Sequence, residues 1–193
     1  PNIAVFTTFL PDHQNYYKDD MDRYFSDKAN IYLWQKKNDW LIAGPKISKF
    51  IKEKGGVSGK IAIAEKKNIS HGWKVKLLGE HNLQNIACAI KVARVLGVPD
   101  DIIREAVESF SGVTGRLELI REINGVKIYN DTNATTPDAT VAGLRALGSE
   151  KLKNIILIIG GTDKVLGKHS VLVDEIPKYC KAVLLLKESG TEK

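Results

Sequence analysis

Cysteine and methionine are scarce in this sequence, which has two cysteines, Cys88 and Cys180, and a single methionine. Two cysteines are too few for a disulfide framework or a metal cluster. Both lie in apolar segments, where a thiol packs as a small hydrophobe. No uninterrupted apolar run approaches the roughly 20 residues of a membrane-spanning helix. The chain starts at Pro1 with no signal-like charged and apolar regions, so a soluble, cytoplasmic protein is the expectation. A nucleotide-binding loop of the form G-x-x-x-x-G-K-[ST] is also missing. Gly55–Lys60 is one residue too short, and Ile61 stands where a hydroxyl is needed. There is no internal repeat and no low-complexity tract.

What remains is ordinary globular composition, with 43% hydrophobic and 27% charged residues over 193 positions. That suffices for one large domain or two modest ones, and it excludes wholesale disorder. The net charge of +6 is uneven. Residues 46–76 hold nine lysines against Glu53 and Glu65, a local +7, so the rest of the chain sums to about −1. This stretch has no arginine, and its only aromatics are Phe50 and Trp73. A nucleic-acid surface would interleave its cations with aromatics or arginines, so solvated faces are the reading here. A basic rim that attracts an anionic substrate stays open.

Ile3–Phe6, Trp40–Ala43 and Lys60–Ala64 read as strands, and Trp73–Leu78 alternates like another. Helices are expected from about Lys18 to Trp34 and around Ile47–Ile51, the latter stopped by Gly55-Gly56. Asn82–Leu96 reads as a strong helix with Ile86, Ala89, Ile90, Ala93 and Leu96 on its buried face and Gly97 beyond its end. Pro99-Asp100-Asp101 opens the next helix. Ser111–Gly115 is small and flexible, the best domain boundary. Beyond it, Leu117–Ile123 and Val126–Tyr129 form a hairpin across Asn124-Gly125. Pro137–Leu147 is a helix, Asn154–Ile159 a buried strand ending at Gly160-Gly161, Val171–Tyr179 a helix and Ala182–Leu186 a strand. The order predicts an open α/β sheet.

Four clusters can carry chemistry. Asp12-His13 follows a strand end, where α/β folds keep their ligand sites, with Lys28 on the helix after it. Singly, each is more often a loop histidine or a solvated lysine. In Gly79-Glu80-His81-Asn82-x-x-Asn85, Asn82 suits an N-cap. Asn85 falls on the same side of the helix, and two carboxamides at that spacing also suit a flat heterocycle such as adenine. Gly115-Arg116-Leu117-Glu118 precedes Asn130–Pro137, a long polar run that enters a helix at proline. A helix start there suits an anion, and Arg116 a phosphate. Gly160–Lys164 follows the aliphatic strand, where Lys164 can meet a carboxylate or phosphate.

In order and spacing these elements resemble the Mur ligases, ATP-dependent amide-forming enzymes of peptidoglycan synthesis. The family pattern runs D-H, a lysine fifteen residues on, G-x-H-N-x-x-N, G-R-x-E, N-D-x-x-A-T-x-P and G-G-x-x-K. Here it reads Asp12-His13, Lys28, Gly79–Asn85, Gly115–Glu118, Asn130–Pro137 and Gly160–Lys164. The match spans nearly the whole chain. Ala134–Thr140 and the G-G-x-x-K loop are most similar to the branch that adds D-glutamate to UDP-N-acetylmuramoyl-L-alanine. The resemblance implies an α/β chain in two incomplete parts. Residues 1–112 would be the C-terminal part of a P-loop-type central ATPase domain, and residues 113–193 a Rossmann-like α/β C-terminal domain.

The resemblance also implies roles. His13 would ligate Mg²⁺, and Lys28, carbamylated, would be a second, anionic ligand, which requires an ε-amine able to deprotonate, as partial burial would favour. Asn82 and Asn85 would contact the adenine side of ATP, Arg116 the phosphates and Asp131 the ribose. Thr135 and Lys164 would hold the carboxylates of D-glutamate. Asn133 departs from the pattern, since many D-glutamate-adding enzymes have lysine there. The expected reaction passes through an acyl phosphate, with the two domains closing on each other. The family's phosphate-binding loop, a metal-binding glutamate and the uridine-nucleotide domain would precede Pro1, and the last strands would follow Lys193. The chain alone is therefore expected to be inactive, a monomer with no nucleic-acid or membrane partner. The alternatives are another Mur ligase or a folylpolyglutamate-synthase-like ligase, and a non-catalytic nucleotide-binding module.

Overall fold

The computed structural model describes residues 1–162 and 169–191. They form two compact units: Pro1–Phe9, Met21–Leu77 and His81–Ser111 make the first, and Leu10–Asp20, Leu78–Glu80 and Gly112–Lys193 the second.

The first unit is built on three β-branched and aliphatic strands, β1 (Ile3–Phe6), β2 (Trp40–Ala43) and β3 (Lys60–Ile63). They pair in parallel in that order, with Val5 opposite Ile42 and Ile42 opposite Ala62. Period-two alternation divides the strand residues between two faces. Ala4, Phe6, Leu41 and Ala43 pack on one side with Phe25, Ala29 and Tyr32 of α2 (Met21–Leu33) and Ile47 and Ile51 of α3 (Pro45–Lys54). Ile42, Ala62 and Ala64 pack on the other with Ala87 and Cys88 of α4 (Glu80–Val95). Pro45 at the first position opens α3 and Gly55 ends it. Cys88 is buried, which pushes its thiol pKa up despite the hydrogen bond from Gln84. A thiol held in that state is unreactive.

Two expectations fail here for packing reasons. Trp73–Leu78 forms no strand. Its alternation is real, but Trp73, Val75 and Leu77 pack on Ile86 and Ile90 of α4 and Ile103 of α5 (Asp100–Ser109). The Lys74 N–H donates to a Glu108 carboxylate at 3.0 Å instead of to a neighbouring strand. On α4 the buried residues are Ile86, Ala87, Cys88 and Ile90, while Ala89 is exposed and Leu96 is 65% exposed. That helix serves two partners, the sheet through Ala87 and Cys88 and α5 through Ile86 and Ile90. Its buried arc is rotated from the one expected of a single apolar stripe.

The second unit begins with the short helix α1 (Gln14–Tyr17) and resumes with the hairpin of β4 (Glu118–Ile123) and β5 (Val126–Asn130). Asn124 and Gly125 both have positive φ, 49° and 79°, as the tightest hairpin turn requires. Next comes α6 (Pro137–Leu147), whose N-cap Thr136 accepts from the Ala139 N–H at 3.3 Å. The parallel strands β6 (Ile155–Ile159) and β7 (Cys180–Leu185) are joined through α7 (Ser170–Tyr179). Val141 and Leu144 of α6 and Leu172 and Tyr179 of α7 make the core with Ile155, Leu157 and Ile159. The sheet expected as one is therefore an antiparallel pair and a parallel pair, both within the α/β class.

A charge network ties α6 to α7. Glu175 is buried and accepts from Arg145 at 3.0 Å and Lys178 at 2.7 Å. Arg145 first and Lys178 second hold its carboxyl well below the usual value of 4.5, at about 2. Stability from this network is therefore full above about pH 4.5 and fades as pH falls toward about 2. Glu175→Gln is expected to lower the thermal midpoint at pH 7, with the two melting curves converging across that window. Both cations are largely exposed, so the effect is small and shrinks further with salt. A midpoint difference that stays constant down to pH 2 would contradict the ionic origin.

Candidate functional site

In the first unit the polar candidates gather at the C-terminal edge of the parallel sheet. Lys28 lies on the solvent side of α2, away from its buried face of Tyr24, Phe25, Ala29 and Tyr32. Lys28 is exposed, with its ammonium 5.0 Å from the centroid of the Tyr24 ring. It still lines a cavity of about 130 Å³ with Val5, Phe6, Thr7, Thr8 and Ile31, directly after β1.

Asn82 is not the N-cap expected, because α4 already begins at Glu80. It sits in the first turn, half-buried, with Asn85 exposed one turn on. Gln84, between them in sequence, was not legible as a functional position. Its amide donates to the Ala64 carbonyl at 2.9 Å and lies against Gly44, where a Cβ would come within 3.0 Å of Nε2. Gln84 thus fixes the start of α4 to the ends of β2 and β3. The hint in the sequence was weak, a polar residue facing an otherwise apolar helix surface.

The second unit joins two motifs separated in sequence. The Gly115 N–H donates to Glu118 Oε2 at 2.9 Å, and the Leu117 N–H to Asp131 Oδ1 at 3.0 Å. Asn130 Nδ2 donates to the same Glu118 oxygen at 3.2 Å. The Asn133 N–H donates to the Gly115 carbonyl at 3.0 Å and its Nδ2 to the Thr114 carbonyl at 3.2 Å. Gly115 is buried at φ 75°, and a Cβ there would stand 2.6 Å from Asn133 Nδ2. Gly143 of α6 leaves room for Asp131, since its Cβ would come within 3.1 Å of Oδ2. The Gly115–Glu118 turn and the polar run Asn130–Asn133 therefore form one knot at the entrance of α6.

Arg116 projects from this knot with an exposed side chain, and Thr135 is exposed in the loop ahead of Thr136. Asn133, the departure from the expected lysine, spends its amide on the main chain. His13 is exposed, caps α1 at φ 53°, and has Nε2 3.4 Å from Asp12 Oδ2. It falls in the second unit and Lys28 in the first. Lys164 lies outside the described residues. Among the described residues, no group of three or more His, Cys, Asp or Glu side chains could hold a metal ion. Mg²⁺ is commonly held by one or two protein ligands together with phosphate and water oxygens, so His13 and a carbamylated Lys28 do not require such a group. For an anion the described residues offer Arg116, a cation presented on a pinned turn.

Residues 115–193 match the family described as Mur ligase, glutamate ligase domain. The whole chain is similar to a UDP-N-acetylmuramoylalanine–D-glutamate ligase of Clostridium kluyveri, with 34% identity over 96% of this chain and 43% of the relative. A ligase of the same name from Roseiflexus is 35% identical over 100% of this chain and 47% of its own length. The chain thus spans less than half of the curated relatives it matches. Among solved structures, a MurF ligase from Thermotoga maritima in complex with ADP is similar with a TM-score of 0.70. The identity is 21%, and the match covers 96% of this chain and 52% of that one. At that identity the likeness shows the shared fold.

Proposed function

We propose that this chain, whose residues 115–193 belong to the Mur ligase glutamate ligase domain family, is part of an ATP-dependent ligase that adds D-glutamate to UDP-N-acetylmuramoyl-L-alanine and releases ADP. One observation carries the reading: similarity to ligases of that name runs across 96% of the chain, through both units. In this reading residues 1–112 are the end of the ATP-binding domain and residues 113–193 the C-terminal domain.

The reaction needs three things. The substrate carboxylate attacks the γ-phosphorus of ATP, ADP leaves, and an acyl phosphate forms. The amine of D-glutamate then attacks the acyl carbon. The tetrahedral intermediate expels inorganic phosphate, and the amine loses a proton. Phosphoryl transfer of this kind depends on placement and charge neutralisation rather than on covalent work by side chains. Asn82 and Asn85 present carboxamides to adenine from the first turns of α4, and Asp131 meets the ribose. Arg116 forks onto phosphate oxygens. Thr135 and Lys164 hold the carboxylates of D-glutamate. Lys28, at the cavity after β1, would as its carbamate be one ligand of Mg²⁺ and His13 another, and the ion would supply charge neutralisation at the carboxylate to be activated.

The test is an amino-acid panel on the full-length protein, with UDP-N-acetylmuramoyl-L-alanine and ATP present. D-Glutamate alone is expected to stimulate ADP formation. Stimulation by a different amino acid, or by none, would overturn the assignment.

A further inference from the structure

Arg116 sits between two residues with left-handed backbone, Gly115 at φ 75° and Leu117 at φ 46°. Glycine adopts that conformation freely, but leucine rarely does. A strained backbone persists only where its surroundings hold it. Here every N–H of the tripeptide is taken. Gly115 donates to Glu118 Oε2 at 2.9 Å, Arg116 to the Val113 carbonyl at 3.1 Å and Leu117 to Asp131 Oδ1 at 3.0 Å.

The use of the two carboxylates is unusual. An arginine flanked by Glu118 and Asp131 would ordinarily pair with one of them. Instead both spend oxygens on main-chain donors, and Glu118 Oε2 also accepts from Asn130 at 3.2 Å. Among the described residues, the Arg116 guanidinium forms no ion pair or hydrogen bond. Its charge is left unpaired among the described residues and its backbone is fixed, the combination that an external oxyanion rewards.

We propose that Glu118 is the positioning residue for Arg116. By gripping the Gly115 N–H and the Asn130 amide, it holds the turn that aims the guanidinium at a phosphate of the nucleotide. It contacts no ligand itself. The inference rests on the reading of Arg116 as a phosphate contact. It adds a residue that the motif contains but to which that reading gives no task.

A double-mutant cycle in the full-length enzyme tests it. Arg116→Ala and Glu118→Ala are each expected to raise KM for ATP by roughly tenfold, the scale of one charge-assisted hydrogen bond to an anion. KM for D-glutamate should move less than about threefold in either variant. In the Arg116→Ala background, Glu118→Ala should add almost nothing, because there is no guanidinium left to aim. Glu118→Gln keeps an acceptor for the Gly115 N–H and should restore KM for ATP to within about threefold of the parent. It also serves if Glu118→Ala fails to fold. Full additivity of the two alanine changes overturns the positioning role and leaves the reading of Arg116 standing. So does a Glu118→Gln enzyme as impaired as Arg116→Ala. An Arg116→Ala enzyme with unchanged ATP dependence overturns the phosphate contact itself, and the inference with it.

Discussion

Lys28→Ala in the full-length enzyme is expected to lower the rate of amide formation by roughly 10³-fold, the scale on which removal of one preorganised charged group acts. The loss should be in chemistry rather than in folding. Lys28 is exposed on α2, outside the core, with its ammonium over the face of Tyr24 and its side chain at the cavity after β1. Changes at such positions usually move stability by less than about 0.5 kcal/mol. The unfolding midpoint of the variant should therefore match the parent's while its turnover does not. Short carboxylates such as formate or acetate, added to the Lys28→Ala enzyme, should restore part of the rate if the lysine works as its carbamate. Retention of more than a tenth of the parent rate would remove Lys28 from the chemistry. A large loss without rescue would keep it there as a cation.

Leu41→Ala should do the opposite, leaving the chemistry of any surviving folded enzyme alone while removing roughly 2–5 kcal/mol of stability. Leu41 is 0% exposed in the central strand of the three and packs in the cluster with Phe25, Tyr32 and Ile51. Truncation there forfeits the burial of three carbon atoms and leaves a void between the sheet and two helices that cannot both close on it. Urea unfolding followed by circular dichroism measures the shift. Leu96→Ala, at a position 65% exposed, is the control and should change stability by less than about 0.5 kcal/mol. A Leu41→Ala shift below about 1 kcal/mol would mean that β2 is not the packed centre of its unit.

The elements legible in the sequence were those with local chemistry at their ends. Gly55 stops α3, Pro137 opens α6, and Asn124-Gly125 closes the β4–β5 turn. Each signal rests on backbone preferences that hold wherever the segment sits. Trp73–Leu78 misled because alternation reports which side chains are buried, not whether a strand lies alongside. The face of α4 misled because one stripe was assumed where two partners share the helix. At the site, motif order was readable but the wiring was not. That Glu118 grips Gly115 and Gln84 reaches Ala64 depends on contacts made only once the chain is folded. Nothing in the spacing G-R-x-E says that its glutamate faces inward to the main chain rather than outward to the arginine.

The Gln84 contact bears on how a ligand would be received at the start of α4. A helix end held only by its own turn frays, and a molecule binding there must first still it. Here one amide bridges the first turns of the helix to the carbonyl after β3 and lies against Gly44 after β2. The turn that carries Asn82 is thereby tied to the sheet. Little motional freedom remains there for a bound heterocycle to quench, so its contacts would be realised with little entropic loss. Selectivity at that end of the site would then follow from shape and hydrogen-bond pattern, since a surface that does not adjust does not forgive a poor fit.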